Sequence, residues 1–397
     1  VAFGADAATA AARAAATLGR LASASALAEV LLAGNVGKLS DAVGRRPVLM
    51  ASPALCVLAR AVVVARPATD VLIGARFVTS LAVPMFWLSF QASIADTFGQ
   101  NTTALSIVGA RVQASMGLGY SVSSAVGGFL SGRDVRLAYA ASCALGTAVV
   151  LAVRFLFDET LPPSRRRPFT PTVPQPFLFF NLFRRGWTMA KLSLLLLLHT
   201  AINGMGDLWQ VIARELRGWG APECGSFAAT AGLASMGGTL LTGVGIRRLG
   251  PRGYTAMASA SSAVSSLLLG CATTTPAAYS GVVPMAAGAG RSQPCTARIV
   301  NLAEEAGVPQ GQLAAERSTL TACVRVLSPS LYASLFTYGA ARGVQALPFF
   351  FSAAMLAMSA ALALTIRGEL WREGGGTEEG GGTKEGGGTQ EDGTQDE

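Results

Sequence analysis

Five stretches of this sequence run without a charged residue for long enough to cross a lipid bilayer: 77–95, 112–132, 224–246, 253–272 and 343–366. A helix rises 1.5 Å per residue, so roughly 20 apolar residues span about 30 Å of hydrocarbon. Composition points the same way, with 51% of residues hydrophobic and 14% charged, against roughly 25% charged in a soluble domain. The expected fold class is an all-α membrane protein.

Setting apolar runs against charged breaks places spans near 16–36, 47–65, 71–95, 107–130, 137–157, 189–212, 224–246, 253–272, 276–300, 312–338 and 344–366, eleven in all. The break at 158–188 holds six prolines and five arginines and separates five spans from six. The expected organisation is an N-terminal bundle (1–157), a linker (158–188), a C-terminal bundle (189–366) and a tail (367–397). The tail repeats Gly, Glu and Thr with nothing apolar to bury and is expected to be disordered. It is also acidic: residues 368–397 hold nine acids against two bases, −7, so within the +8 of the whole chain the rest carries +15.

Several function classes fall away. The basic residues are scattered between apolar runs and form no stripe with aromatic platforms, so no nucleic-acid partner is expected. Six dispersed cysteines and one histidine support neither a zinc site nor a disulfide framework. No phosphate-cradling G-x-x-x-x-G-K-[ST] occurs. No set of nucleophile, base and acid emerges either, so neither an enzyme nor a cofactor is expected.

Sliding the halves by 206 residues aligns Gly37, Gly44 and Arg46 with Gly243, Gly250 and Arg252. An offset of 205 sets 123–130 on 328–335. Two halves of six spans follow from such a repeat, so one further span is expected before Val1.

The segment "GKLSDAVGRR", 37–46, places this repeat in a known context. It resembles the signature loop of the major facilitator superfamily, G-x-L-[SA]-D-x-x-G-R-[RK], with Gly37, Leu39, Asp41, Gly44, Arg45 and Arg46 in register. Read physically, glycine serves where a helix approaches or φ turns positive, as Gly37 and Gly44 can, and Asp41 can accept charge-assisted hydrogen bonds. The resemblance implies a lock of Asp41, Arg45 and Asp96 that fastens the cytosolic ends of two six-helix halves. The alternative is that Arg45 and Arg46 act only as positive-inside anchors. In the second-half copy Arg247 replaces the aspartate and Pro251 the first arginine, so only the first copy should lock.

Charges inside hydrocarbon cost roughly 2.5–3.5 kcal/mol on insertion scales and tend to line cavities or to pair. Glu29 is the acid well inside a first-half span, serving either as proton or substrate group or as the partner of an arginine. Arg325, near the middle of its span, is expected to face a central cavity. Arg76 resembles the span-4 arginine of proton-coupled members, and Arg111 lies near a helix end. His199, Asn203 and Asp207 interrupt an apolar run beside Gly204 and Gly206, the pattern of a discontinuous helix; His199 also fits a satisfied core position. Arg291 and Gln293 sit where Gly288, Gly290 and Pro294 loosen a helix, a place to meet an anionic group. The stretch 119–128 is similar to an antiporter signature but lacks its Gly-Pro, and fits small-residue packing equally.

The resemblance implies a gradient-driven secondary transporter of a small organic molecule. "DETLPP" at 158–163 and the stretch 311–336 look similar to the tetracycline-resistance-like branch, which implies export by proton exchange. Proton-coupled uptake of an organic anion and a non-transporting sensor or scaffold are the alternatives. The partners expected are the lipid bilayer, a small-molecule substrate and, under proton coupling, protons.

The segments 37–47, 158–191 and 246–252 hold twelve Lys or Arg against six in the opposite short loops, so the former, the linker and the tail face the cytosol. The sequon Asn101-Thr102-Thr103 then lies on the cytosolic side. In a glycosylating host it stays unmodified; an endoglycosidase-sensitive mass shift at Asn101 would reverse this topology.

Overall fold

A computed structural model describes residues 2–98, 102–171, 175, 177–206, 208–308 and 310–371. Asn101, Asp207 and the tail from 372 lie outside the described residues. Among the described residues the regular structure is entirely helical. Before the linker run α1 (Ala2–Val43), α2 (Arg45–Ala65), α3 (Thr69–Phe98), α4 (Thr102–Arg133) and α5 (Val135–Leu156). After it come α6 (Phe180–Arg184), α7 (Trp187–Ala201), α8 (Leu208–Arg217), α9 (Ala221–Leu240), α10 (Thr242–Cys271), α11 (Thr275–Ser280), α12 (Val282–Ala287), α13 (Gln293–Glu305), α14 (Gln310–Ala340) and α15 (Leu347–Thr365). A chain this apolar satisfies its backbone by helix because hydrocarbon offers no other hydrogen-bond partner.

By length and apolar character five helices among the described residues qualify as membrane crossings, and seven if each of two bent pairs counts as one. The other expected crossings coincide with helices that carry more polar groups, such as α14, or with the interrupted run α11–α13. The two breaks fall at glycine- and threonine-rich positions. α7 passes through a 3-10 turn, Ile202–Met205, into α8 with a 57° bend. That is the discontinuous helix the glycines beside Asn203 predict. α9 meets α10 at 65°.

The signature segment corrects one expectation. Gly37 to Val43 is not a loop but the closing turns of α1, and Gly44 alone leaves helical geometry, at φ 107°. A Cβ at Gly37 would meet nothing within 4 Å, so neither a turn nor a close approach demands glycine there. Gly250, related to Gly44 by the 206-residue offset, also has positive φ, 68°, and divides α10 in two. The internal repeat thus reaches the backbone.

Helices from before and after the linker meet at two seams, α1 against α14 and α4 against α9. A Cβ on Gly128 would stand 2.6 Å from the Ala221 carbonyl oxygen and 2.8 Å from the Gly225 Cα. At the other seam a Cβ on Gly19 would stand 2.7 Å from Ala333 Cβ and 2.9 Å from the Pro329 carbonyl oxygen. Gly19 and Gly225 are 206 residues apart, and Gly128 and Ala333 are 205 apart, so the two contacts are copies of one another under the repeat. Without side chains between them, the backbones pack directly. Both contacts lie toward the helix ends remote from the linker.

Gly128→Leu is expected to lower the stability of the solubilised protein by about 1–3 kcal/mol through overpacking. Gly119→Ala, where an added Cβ meets nothing within 4 Å, leaves it unchanged or raises it. Thermal unfolding of both variants in detergent checks the contrast.

Candidate functional site

Three polar clusters bring together residues that are far apart in sequence. The first lies at the linker-side ends of α1, α2 and α3. Arg45 is 8% exposed; its guanidinium reaches Asp41 Oδ1 at 2.6 Å and Asp96 Oδ2 at 3.0 Å and donates to Ser40 Oγ at 3.1 Å. The three residues of the expected lock are therefore in contact. Asp41 does not cap the neighbouring helix. The N-terminus of α2 is instead capped by Glu159, whose carboxylate accepts from the backbone N–H groups of Arg45 at 2.9 Å, Arg46 at 3.2 Å and Leu161 at 3.0 Å.

Positive φ at Gly44 turns the chain so that these N–H groups point at Glu159, where unpaired helix donors favour an anion. Arg46 donates to the Val153 carbonyl at 3.4 Å and to that of Arg154. Arg167 N–H donates to the Asp41 carbonyl at 3.2 Å, and Lys38 Nζ to Thr170 Oγ1 at 3.3 Å. All these partners belong to α1–α3, to the end of α5 or to the linker.

The second cluster bridges one of the two seams, joining α1 directly to α14. Arg325 on α14 donates both Nη atoms to the carboxylate of Glu29 on α1, at 2.9 and 2.7 Å. Glu29 stands fourteen residues before the end of α1, about 21 Å along the axis. Two charges singled out separately thus neutralise each other by a bidentate contact, the stronger kind of pair. The Arg325 side chain keeps 49% exposure and that of Glu29 21%, so the pair remains accessible. Ser23 and Ser330 hydrogen-bond across the same seam at 2.8 Å.

The third cluster lies among the later helices. His199 on α7 is 4% exposed, with Nε2 hydrogen-bonded to Ser259 Oγ of α10 at 3.0 Å and Ser359 Oγ of α15 at 2.7 Å. His199 thus lies in the core, anchored through Nε2, but its buried Nδ1 has no hydrogen-bond partner among the described residues, so the satisfied position is met on one ring nitrogen only. Arg291 sits in the unwound turn between α12 and α13 and donates to the Gly288 carbonyl at 3.2 Å. Gln293 is exposed at the start of α13, and Asn203 is exposed in the 3-10 turn. Arg76 and Arg111 are also exposed and lie outside the Glu29–Arg325 pair.

Two features escaped the sequence. Glu316 on α14 is fully buried and takes both Nη groups of Arg185, with Nη2 at 2.6 Å from Oε1, plus Asn181 Nδ2 at 3.3 Å and Gln312 Nε2 at 3.0 Å. On α10, serines satisfy carbonyls of the interrupted run: Ser261 that of Pro284 at 2.9 Å, Ser265 that of Gly281 at 2.8 Å and Ser262 that of Gly288 at 3.4 Å. The run "SASSAVSS" at 259–266 was the available signal.

Among the described residues, long apolar helices with breaks and with charges paired between them define a multi-pass membrane protein class. The family model described as Major Facilitator Superfamily matches residues 2–315, and the chain belongs to that superfamily. It is accordingly an integral multi-pass membrane protein with a small-molecule substrate.

The chain is 25% identical over 323 residues to the tetracycline resistance protein, class C, of Escherichia coli, covering 79% of this chain and 78% of that protein. It is 28% identical over 267 residues to the class G protein of Vibrio anguillarum, covering 64% of each. Among solved structures, the human organic anion transporter MFSD10 (TETRAN) aligns with TM-score 0.61 and 20% identity over 87% of this chain and 83% of that one. A variant of the nucleoside transporter NupG aligns with TM-score 0.68 and 12% identity over 88% and 90%. The structural likenesses carry the fold alone.

Arg185→Ala is expected to cost about 3–5 kcal/mol, because it strands a buried carboxylate. The double variant Arg185→Met, Glu316→Met removes both charges and costs less than the single. Equal losses in thermal unfolding of the two would mean that the pair is not buried as described.

Proposed function

We propose that the chain is a gradient-driven secondary transporter that exports a small organic molecule by proton exchange, rocking two bundles, 1–157 and 189–366, about a path between them. The observation that carries this is the Glu29–Arg325 pair. It is accessible, lies deep within α1, and bridges the helices that must separate if the bundles are to rock. Protonation of Glu29 releases the arginine, so one proton can be exchanged for a loosened seam.

In this reading the Gly128–Gly225 and Gly19–Ala333 contacts close the side remote from the linker. Asp41, Arg45 and Asp96, with Gly37, Gly44 and Arg46 in the same segment, form the gate element on the linker side, which faces the cytosol. Their bonds are spent on the first bundle and the linker, as befits a path open to the linker side. Closing that side requires the gate to engage the second bundle. The tetracycline-resistance relatives favour export, and the low identity leaves the substrate class at small organic molecules.

Organic-anion uptake is the second reading. Arg291 favours it: among the described residues its guanidinium has one backbone acceptor and no acid, whereas Arg325 is occupied by Glu29.

Substrate flux in proteoliposomes tests the proposal. Flux driven by an imposed pH gradient is expected for the wild type. Glu29→Gln should abolish the proton-driven component while sparing substrate exchange, which needs no net proton movement. Zero flux under any gradient would favour a non-transporting scaffold, and flux of Glu29→Gln equal to wild type would remove Glu29 from coupling.

A further inference from the structure

On the outer wall of the first five helices, α2 and α5 touch closely. They touch where a Cβ on Gly146 would come within 2.6 Å of Val57 Cγ2, and where Cys143 Sγ donates to the Val57 carbonyl at 3.6 Å. Toward the linker side a groove of about 640 Å³ opens between them. Its α2 wall is Pro47, Met50, Ala51 and Ala54, spaced i, i+3, i+4, i+7 and thus on one helix face. Val150 lines the α5 wall, and Arg46 and Arg154 stand at the mouth.

The small side chains of Ala51 and Ala54 leave the groove unfilled. The surrounding surface is apolar and exposed, with Leu55, Leu58, Leu151 and Phe155 all open. In the membrane reading this wall faces lipid. The mouth then lies about 11 residues, or 16 Å, from the Val57 contact, at the linker-side headgroup level.

We propose that this groove is a binding site for an acidic phospholipid, with an acyl chain along Ala51 and Ala54 and the headgroup phosphate between Arg46 and Arg154. Charge complementarity selects the occupant. Arginine forks match phosphate oxygens, and basic pockets between membrane helices on this side suit anionic headgroups. Of the two acids at the linker start, Asp158 and Glu159, the second is engaged by the α2 backbone. Arg46 spends Nε and Nη2 on the α5 carbonyls of Val153 and Arg154, which fixes its plane across the mouth. Arg154 lies over the Phe155 ring at 5.7 Å and is exposed, so it can turn to the phosphate. A soluble phosphate would use only the mouth, and the apolar length of the groove would stay empty.

The test is native mass spectrometry of the detergent-solubilised full chain titrated with phosphatidylglycerol or phosphatidylcholine. One phosphatidylglycerol should bind with at least about fivefold preference, the scale set by one basic residue near a membrane surface. Arg154→Gln should remove the preference, and Arg154→Lys should retain most of it. Ala54→Trp should fill the groove and weaken both lipids.

Each variant is first matched to wild type in thermal unfolding without added lipid; if Ala54→Trp unfolds, Ala51→Val takes its place. Equal retention of the two lipids, or a preference unmoved by Arg154→Gln, overturns the proposal. So does displacement of phosphatidylglycerol by equimolar inorganic phosphate, which would reveal an anion site without a chain. The measurement uses no transported substrate, so its failure is separate from failure of the flux assay.

Discussion

A charge placed within hydrocarbon must find its partner inside the protein, and the architecture follows from where those partners are. Leaving one unmatched costs several kcal/mol, comparable to a large share of a protein's stability. Glu29 therefore fixes the position of α14 through Arg325, and Glu316 fixes the end of the linker through Arg185. Arg45 gathers α1 and α3 around the start of α2. The pairs differ in accessibility. Glu316 is sealed and suits a permanent joint, whereas the Glu29–Arg325 pair is open enough to be made and unmade.

Around these anchors the backbone itself is the packing surface. Glycines 206 residues apart make the same close approach at both seams, and Gly44 and Gly250 make corresponding turns. The charge decoration did not follow. In the later copy the counterpart of Asp41 is Arg247, of opposite charge, and that of Arg45 is the uncharged Pro251. Instead Pro251 starts the helix after Gly250 and Arg252 donates to the Leu364 carbonyl. The repeated element keeps its shape with different chemistry holding its end.

The sequence revealed most where a feature is local. Uncharged runs give membrane helices because hydrocarbon tolerates little else. The signature segment shows itself as charge between apolar spans, and the glycines near Asn203 give a broken helix. Glu29 and Arg325 were each visible as intramembrane charges, yet their pairing was not, because 296 residues separate them. Depth was the missing clue, since both sit near the middle of their helices with opposite sign. Glu159 and Glu316 stayed hidden for the same reason, with partners 114 and 131 residues away. Gly37 was overread: it belongs to the motif, but its surroundings impose no steric demand.

The two seams are unequal in a way that bears on how the molecule can open. The α4–α9 seam is held by apolar contact, with the Met236 side chain against Gly117 and backbone against backbone at Gly128 and Gly225. Dispersion forces there fade within an ångström of separation but tolerate sliding and rotation. The α1–α14 seam adds a hydroxyl pair and an ion pair, which tolerate neither and which water or a proton can undo. If the two bundles rock as proposed, a body joined along one greased edge and one chemically fastened edge would behave as a door: the first edge its pivot, the second the place where it is unlatched.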